Sequence, residues 1–498
     1  MFQPITVHHL LEVQTTSNPD GIAIMAPGRK PLTYGQLFVQ VSYVVATLNA
    51  LGIGRNEVVA VVLPNGPEMG VAFLSVVSGA TIAPLNPSYR LSEFEFYLSN
   101  LKAKAVIVQL GIDSPVRTAA ETQGIPIIEL DPALEAEAGI FTLNCDQLTL
   151  PPTQTGFAWS EDVSLLLQTS GTTAKPKIVP LSHINICASA RNISTALALT
   201  PMDRCLNVMP LYHIHGLSTI FSSIAAGASI VCTPGFYAPK FFEWVELFRP
   251  TWYTAAPAIH QSIVSRAAEA RDSSTNSPFR FVRSASSPLP ESLITQLETN
   301  LNTHVIEAYG MTEAAPQIAS NPLQPHKRKK GSVGLARGPK VAIMDQVGNL
   351  LPPNQEGEVV IRGNNVMSGY VDNPAANEAA FVQDWFRTGD QGYLDQDEYL
   401  FITGRLRDLI NRGGEKISPY EVDEILLKHP AVAETATFAI PDDKLGEDVA
   451  AAIVLHDGAT ISEKELRSFV AAHLADFKVP RQIAIVDQIP RSDTNKIK

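Results

Sequence analysis

The sequence is poor in the features that mark several protein classes. Its four cysteines form no CxxC pair and show no metal-ligand spacing, so we expect free buried thiols in a reducing compartment. The N-terminus lacks a basic stretch followed by an apolar core, which argues against a signal peptide. The richest apolar runs are broken by Pro, Gly or Ser and are too short to span a bilayer. Basic residues are in the minority, and the net charge of −12 disfavours a broad nucleic-acid-binding surface.

These absences bound the location and the partners of the protein. We expect a cytoplasmic protein with no integral membrane association and no nucleic-acid partner. A peroxisomal address stays open, because the true C-terminus could lie beyond Lys498. The sequence leaves the oligomeric state undetermined.

What is present is enough apolar material for several cores. The chain has 498 residues, of which 45% are hydrophobic and 18% charged, and this composition excludes a mainly disordered chain. The length predicts two to four core-forming units.

Apolar runs of strand length alternate with helix-length segments through most of the chain. This alternation predicts mainly parallel sheets covered by helices, with ligand-binding loops at the strand ends. The predicted strands and one intervening helix are 57–63, 68–78 (helix), Thr81–Pro84, Val163–Thr169, 251–255 and 279–283.

The pattern changes after Arg405. Ser-x-x-Glu capping boxes begin two predicted helices at Ser418 and Ser462, and the first has Pro at its first helical position. Strand-like runs follow at 435–440, 449–455 and 482–486. We therefore expect an α/β protein with a large N-terminal domain of sheets covered by helices, residues 1–406, joined by a hinge to a small α+β C-terminal domain, residues 407–498.

The sharpest chemical signal is the segment 169–177, TSGTTAKPK, directly after a buried strand. Small hydroxyl residues and glycine let a backbone fold closely around a polyphosphate and present N–H and O–H donors to it. Two lysines, Lys175 and Lys177, add positive charge. The GxxxxGK[ST] order of a Walker A loop is absent. A simple turn explains such a stretch poorly.

This loop resembles the phosphate-binding motif of the adenylate-forming superfamily, which includes acyl-CoA synthetases, luciferases and adenylation domains. The resemblance extends over nearly the whole chain. The segments YGMTE at 309–313, WFRTGD at 385–390 and NRGGEKISP at 411–419 resemble further motifs of that family, and so does TNKI at 494–497. Ala174 and Asn495 depart from the family pattern, since glycine is usual at both positions.

The resemblance implies a role for each motif residue. It implies ATP, Mg²⁺ and coenzyme A as the ligands, with Tyr309 on the adenine, Asp390 and Arg405 on the ribose, and Glu313 on Mg²⁺. It also implies Lys496 as the catalytic cation of adenylation and Arg407 as the hinge. The full expected set is Lys496, His213, Thr312 and Glu313 for catalysis; Thr169, Ser170, Gly171, Thr172, Thr173, Lys175, Lys177, Glu307, Ala308, Tyr309, Asp390 and Arg405 for ATP; His213, His215, Ser286, Ser287 and Met311 for the acid; and Gly413, Gly414 and Lys416 for CoA.

The resemblance implies two acid-binding segments, MPLYHIHG at 209–216 and RSASSPL at 283–289. An alkyl chain could not satisfy the hydrogen-bonding groups of two histidines and adjacent serines, so these segments favour a short, polar acid. Their combination with the other motifs resembles oxalate–CoA ligases. The alternatives are a 4-coumarate or medium-chain acyl-CoA ligase, a stand-alone adenylation enzyme that loads a carrier protein, and a catalytically silent nucleotide-binding relative.

Overall fold

The computed structural model describes residues 5–145, 152, 154–169, 177–269, 277–412, 415–442 and 444–491. Within these ranges the strands form three sheets, of seven, fourteen and five strands. This is the α/β architecture that the alternation of strands and helices predicts. No helix in these ranges is long and apolar enough to cross a membrane.

The N-terminal third supplies the seven-stranded sheet, whose strands are rich in buried valine, isoleucine and leucine. The elements of this part of the chain are α1 (Val7–Ser17), β1 (Ile22–Met25), β2 (Leu32–Thr33), α2 (Tyr34–Ala50), β3 (Val58–Val62), α3 (Pro67–Val77), β4 (Thr81–Pro84), α4 (Leu91–Leu101), β5 (Ala105–Gln109), α5 (Pro115–Thr122), β6 (Ile127–Pro132), β7 (Phe141–Asn144), β8 (Val163–Thr169) and β9 (Lys177–Ser182). Of these strands, β1 and β2 belong to the fourteen-stranded sheet, and the others form the seven-stranded sheet. The strand order is β7-β6-β5-β3-β4-β8-β9, parallel except for β7 and β9 at the edges.

The middle of the chain builds the parallel half of the fourteen-stranded sheet. Its elements are α6 (His183–Ala196), β10 (Arg204–Asn207), α7 (Ile214–Ala225), β11 (Ser229–Cys232), α8 (Ala238–Phe248), β12 (Trp252–Ala255), α9 (Pro257–Glu269), β13 (Phe281–Ser284), α10 (Glu291–Leu301) and β14 (Val305–Gly310). Here β14, β13, β12, β10, β11 and β1 run parallel, and β2 pairs antiparallel with β1 at the edge.

The sheet continues beyond β14 with antiparallel pairing, which the alternating pattern did not predict. The added elements are β15 (Gln317–Ser320), β16 (Gly334–Ala336), β17 (Lys340–Met344), β18 (Gly357–Arg362), α11 (Pro374–Ala380), β19 (Phe381–Val382), β20 (Trp385–Leu394) and β21 (Tyr399–Arg405). The order β14-β15-β16-β21-β20-β18-β17 brings β20 and β21 into one sheet with β14.

A turn at residues 406–409 separates β21 from the small five-stranded sheet. The predicted domain boundary falls in this turn and stays a prediction. The last elements are β22 (Ile410–Arg412), β23 (Glu415–Ile417), α12 (Pro419–Leu426), β24 (Val432–Asp442), β25 (Gly446–Leu455), α13 (Glu463–Ala471) and β26 (Gln482–Ile485). This sheet has its own core, which includes Ile410, Val422 and Val470.

Helix α3 lies between the two large sheets and is buried on nearly every side, as expected for a helix that is apolar all round. It contacts β4 in the seven-stranded sheet and β11 in the fourteen-stranded sheet. A Cβ added at Gly70 would lie 3.2 Å from Cys232 Sγ, so the helix approaches β11 closely. The two sheets therefore share one continuous core.

One of the two predicted capping boxes forms and the other does not. Ser462 Oγ accepts from the N–H of Glu465, and the Glu465 carboxylate accepts from the N–H of Ser462. The predicted box at Ser418 is wrong. Ser418 Oγ instead donates to the carbonyl of Thr403 over 2.6 Å, and the carboxylate of Glu421 pairs with Lys478.

Candidate nucleotide and acid site

The strand β14 ends at a sharp bend that starts the expected YGMTE motif. A 3₁₀ turn at Thr312–Ala314 follows, and the chain returns as β15. A Cβ added at Gly310 would lie 2.0 Å from the carbonyl oxygen of Pro316, so only glycine fits this close approach of backbones. The bend exposes the half-buried Tyr309, Met311 and Thr312 at the end of the sheet.

Tyr309, Asp390 and Arg405 form one hydrogen-bonded cluster. The Tyr309 hydroxyl donates to Asp390 Oδ2 over 2.5 Å, and Arg405 Nε lies 2.8 Å from Asp390 Oδ1. The pairing of β20 with β21 sets Asp390 directly opposite Arg405. Burial and the neighbouring Asp390 raise the pKa of the Tyr309 hydroxyl, so this group remains a donor. The cluster is suited to binding a sugar through its hydroxyl groups.

Glu313 and Tyr370 form a second cluster. Glu313 is 6% exposed, and its Oε1 accepts a hydrogen bond from the Tyr370 hydroxyl over 2.9 Å. Burial raises the pKa of Glu313, and the charges of Arg405 and Lys177 oppose that rise. Lys177 Nζ lies 4.6 Å from the centre of the Tyr370 ring. No lysine or arginine nitrogen among the described residues lies within 4.0 Å of the Glu313 carboxylate.

The Glu313 carboxylate fits a magnesium ion that takes its other ligands from phosphates and water. A hard dication prefers carboxylate oxygen, and it would neutralise a buried anion that lacks a close cation. No cluster of three or more His, Cys, Asp or Glu ligands occurs in the described part of the chain. An all-protein metal cage is therefore absent from that part.

The strands β8 and β9 hold the two ends of the predicted phosphate loop together. Thr169 pairs with Lys177 in the antiparallel register, and the contact of Lys177 with Tyr370 sets this edge beside Glu313. The loop residues Ser170, Gly171, Thr172, Thr173 and Lys175 lie outside the described residues, and so do Gly413, Gly414 and Lys496 and the side chain of Lys416.

Two further predicted nucleotide residues, Glu307 and Ala308, lie on β14 before Tyr309. Ala308 is buried, whereas Glu307 is half-buried. Burial raises the pKa of Glu307 to about 7, and the nearby charge of Arg328 opposes this rise. The carbonyl of Glu307 accepts from the N–H of Asn321, which fixes the backbone at this point.

The predicted acid segments meet through His215. Its Nδ1 lies 2.8 Å from Ser286 Oγ, and its Nε2 lies 2.7 Å from Thr254 Oγ1 at the end of β12. Ser286 has φ of +81°, and this uncommon backbone conformation turns its hydroxyl towards the histidine. The sequence assigns both His215 and Ser286 to acid-binding segments but does not single out Thr254.

The remaining predicted acid residues surround this contact less tightly. His213 is half-buried, with its ring centre 4.5 Å from that of Tyr212, and Met311 is also half-buried. Ser287 is exposed, and its assignment to the acid site stays a prediction.

The predicted hinge residue Arg407 lies in the turn between β21 and β22. Around it, the N–H of Leu406 donates to the carbonyl of Gly389, and the N–H of Asp408 donates to that of Arg405. The Arg407 side chain is about half exposed, with Nε 3.5 Å from Asp408 Oδ1.

The family pattern of AMP-binding enzymes matches residues 11–371, and the pattern of their C-terminal domain matches residues 421–496. The chain belongs to the AMP-binding enzyme family. Within this adenylate-forming superfamily it is a member of the AMP-forming acid–CoA ligases.

Similar proteins cover nearly all of this AMP-binding enzyme. An oxalate–CoA ligase of Saccharomyces cerevisiae is 43% identical over 89% of the chain and 86% of its own length. An oxalate–CoA ligase of Arabidopsis thaliana is 39% identical over 99% of the chain and 97% of its own length. The structure of O-succinylbenzoate coenzyme A synthetase from Bacillus subtilis with ATP and a magnesium ion has 27% identity and a TM-score of 0.83, and 98% of each chain is covered.

Tyr370 is the main functional candidate of this AMP-binding enzyme that sequence reasoning missed. It follows Gly369 in a segment between β18 and α11 that carries no recognisable motif. Its hydroxyl contacts the predicted metal ligand, and its ring contacts the lysine at the end of the phosphate loop. Only the folded chain brings these three groups together.

Proposed function

We propose that this acid–CoA ligase activates a short, polar acid, with oxalate as the best candidate, and passes the acyl group to the CoA thiol. ATP supplies the adenylate, and AMP and pyrophosphate leave. The polar contacts at the acid segments support this substrate class, and two similar proteins are oxalate–CoA ligases.

In the first half-reaction the substrate carboxylate attacks the α-phosphorus of ATP, and pyrophosphate departs. Asp390 and Arg405 orient the ribose, Tyr309 packs against the adenine, and Thr312 contacts the α-phosphate. The loop from Thr169 to Lys177 holds the outgoing phosphates, and Lys496 stabilises negative charge on the transferring group. Mg²⁺, held by Glu313, supplies charge neutralisation on the phosphates.

In the second half-reaction the CoA thiol attacks the carbonyl of the mixed anhydride, the bond to AMP breaks, and the thioester forms. Rotation about Arg407 removes Lys496 from the site and brings Gly413, Gly414 and Lys416 to the thiol channel. The exposure of residues 406–408 supports this assignment, because a change of backbone angle in an exposed turn disturbs no packed core.

The observation that carries the substrate proposal is the hydroxyl–imidazole–hydroxyl chain of Ser286, His215 and Thr254. His215 is only 6% exposed and both of its ring nitrogens have polar partners, so the acid segments meet at a polar rather than an apolar contact. A neutral imidazole accepts at only one ring nitrogen, so one of the two hydroxyls keeps an O–H that a substrate oxygen, unlike a hydrocarbon chain, can accept.

ATP–pyrophosphate exchange with oxalate, malonate, acetate, octanoate and 4-coumarate tests this proposal. We expect oxalate to give the highest kcat/KM, and addition of CoA to convert exchange into thioester formation. His215→Ala should lower the preference for oxalate over octanoate, whereas His473→Ala, in the exposed turn after α13, should leave it unchanged. The highest kcat/KM with octanoate or 4-coumarate would overturn the substrate proposal and leave the ligase family assignment intact.

A further inference from the structure

Arg283 is an arginine buried in the middle of the fourteen-stranded sheet. It lies on β13, between β12 and β14, and is 3% exposed. Burial lowers the pKa of its guanidinium to about 10, which still leaves the group charged at neutral pH. A charge at this depth is costly unless an opposite charge lies close to it.

The described residues supply no such opposite charge. One Arg283 nitrogen donates to Gln317 Oε1 over 3.0 Å, and another lies 3.5 Å from Thr254 Oγ1. Arg283 Nε and Gln317 Nε2 are buried without a hydrogen-bond partner in the described part of the chain, and no carboxylate there lies within 4.0 Å of the guanidinium.

Other well-buried arginines of this protein do have carboxylate partners. Arg55 lies 2.6 Å from Asp162, and Arg29 lies 2.6 Å from Glu68, with arginine side chains that are 9% and 11% exposed. These two buried charges are therefore neutralised within the chain. The unpaired donors of Arg283 indicate an anion that comes from outside the chain.

Arg283 shares a hydrogen-bond network with the candidate acid site. Thr254 Oγ1, which lies beside the guanidinium, also contacts His215 Nε2, and the other ring nitrogen of His215 contacts Ser286. The unpaired positive charge and the acid segments are therefore connected through one threonine hydroxyl.

We propose that Arg283 is the specificity-determining counter-charge for the second carboxylate of a short dicarboxylic acid, and that Gln317 positions the guanidinium and donates to the same carboxylate. This inference rests on the proposed function and identifies the residue that recognises the distal carboxylate of the acid. The carboxylate that attacks ATP loses its charge in the mixed anhydride. The distal carboxylate keeps its negative charge in the substrate, the adenylate and the thioester, so one fixed cation suits all three.

The test compares oxalate with oxamate, in which a neutral amide replaces the distal carboxylate. Loss of one partner of a buried charge pair lowers kcat/KM by about 30-fold to several thousand-fold. We expect Arg283→Met to lower kcat/KM for oxalate within this range, mainly through KM, and to change that for oxamate by less than about threefold. Arg283→Lys should keep more oxalate activity than Arg283→Met, because lysine carries the positive charge but lacks the planar set of N–H donors of a guanidinium.

Arg204→Met is the matched control. Arg204 is a half-buried arginine at the amino end of β10 in the same sheet, and its donors go to Ser229 Oγ and the carbonyl of Phe248. This variant should lose thermal stability and keep the wild-type ratio of oxalate to oxamate activity. Arg283→Met should melt no lower than the wild type, since it removes a buried charge that has no partner.

The outcomes separate this inference from the proposed function. A wild-type enzyme that prefers octanoate or 4-coumarate to oxalate overturns both. In a second outcome the wild type prefers oxalate, while Arg283→Met and Arg283→Lys lower kcat/KM equally for oxalate and oxamate. That result overturns only the role of Arg283. If Arg283→Met fails to fold, Gln317→Met and Arg283→Lys take its place. Both should lower the ratio of oxalate to oxamate activity, and an unchanged ratio in both overturns the role of Arg283.

Discussion

Replacing Tyr370 with phenylalanine tests the proposed metal ligand. The change removes one hydroxyl, which donates to Glu313 Oε1 over 2.9 Å, and keeps the ring that lies near Lys177. A hydrogen bond to a charged acceptor contributes about 1.5–3 kcal/mol, and a tenfold change in an equilibrium corresponds to about 1.4 kcal/mol. The equilibrium constant for ionisation of Glu313 should therefore fall about 10- to 100-fold.

The sign of the effect follows from which form of Glu313 binds the ion. The ionised carboxylate holds Mg²⁺, so activity is present above the pKa of Glu313 and is lost as pH falls through it. Burial already raises this pKa, and loss of the Tyr370 donor should raise it further. The acidic limb of the pH–activity profile should therefore move upward by about 1–2 pH units in Tyr370→Phe.

Pyrophosphate exchange measured from about pH 5.5 to about pH 9, with MgATP varied at each pH, gives the required profiles. The matched control is Tyr399→Phe. Tyr399 and Tyr370 are each 8% exposed, but the Tyr399 hydroxyl donates to the backbone carbonyl of Lys327. An acidic limb at the same pH in the wild type and both variants would refute the assigned role of Tyr370.

Three further predictions concern charge and motion. Lys496→Ala should abolish adenylation yet largely preserve thioester formation from supplied acyl-AMP; equal loss in both assays would contradict its role. Arg407→Pro should form adenylate but fail in CoA transfer, because proline fixes φ at the proposed hinge, and normal turnover would place the hinge elsewhere. Glu307→Gln should raise the free energy of unfolding by about 3 kcal/mol near pH 8.5, because burial raises the pKa of Glu307 from 4.5 to about 7 and the folded state carries the cost of ionisation above that pH. Urea denaturation should show no such gain near pH 4, where the glutamate is protonated, and parallel stability curves would contradict the burial argument.

Local sequence patterns predict the strands of the parallel sheets well. Thr81–Pro84 and Val163–Thr169 are found with the predicted bounds, because a short apolar run between polar turns has few other places to pack. The antiparallel extension from β15 to β21 combines neighbouring strands, such as β20 and β21, with strands far apart in sequence, such as β16 and β21, and no local pattern encodes the distant pairings.

The two capping boxes show the limit of spacing rules. Both Ser418 and Ser462 have glutamate three residues later. Ser462 lies on an exposed helix end, where the local partner has no competitor. Ser418 packs against β21, and its hydroxyl donates a hydrogen bond to the carbonyl of Thr403. Tertiary contact decides between the two outcomes.

The same distinction separates the predicted from the missed site residues. Tyr309, Asp390 and Arg405 lie in recognisable motifs, and the fold brings them within hydrogen-bonding distance of one another. Tyr370 and Thr254 carry no motif of their own. Their importance becomes visible only when the chain sets them beside Glu313 and His215.

The most direct test of adenylate formation follows one oxygen atom. When the carboxylate attacks the α-phosphorus of ATP and the thiol later attacks the carbonyl, one carboxylate oxygen remains on the phosphorus. Incubation of the enzyme with ¹⁸O-labelled oxalate, ATP and CoA, followed by mass spectrometry, should therefore give AMP that carries one ¹⁸O atom, together with an equal amount of thioester. Thioester formation with unlabelled AMP, or with ADP and labelled phosphate, would contradict the acyl-adenylate mechanism.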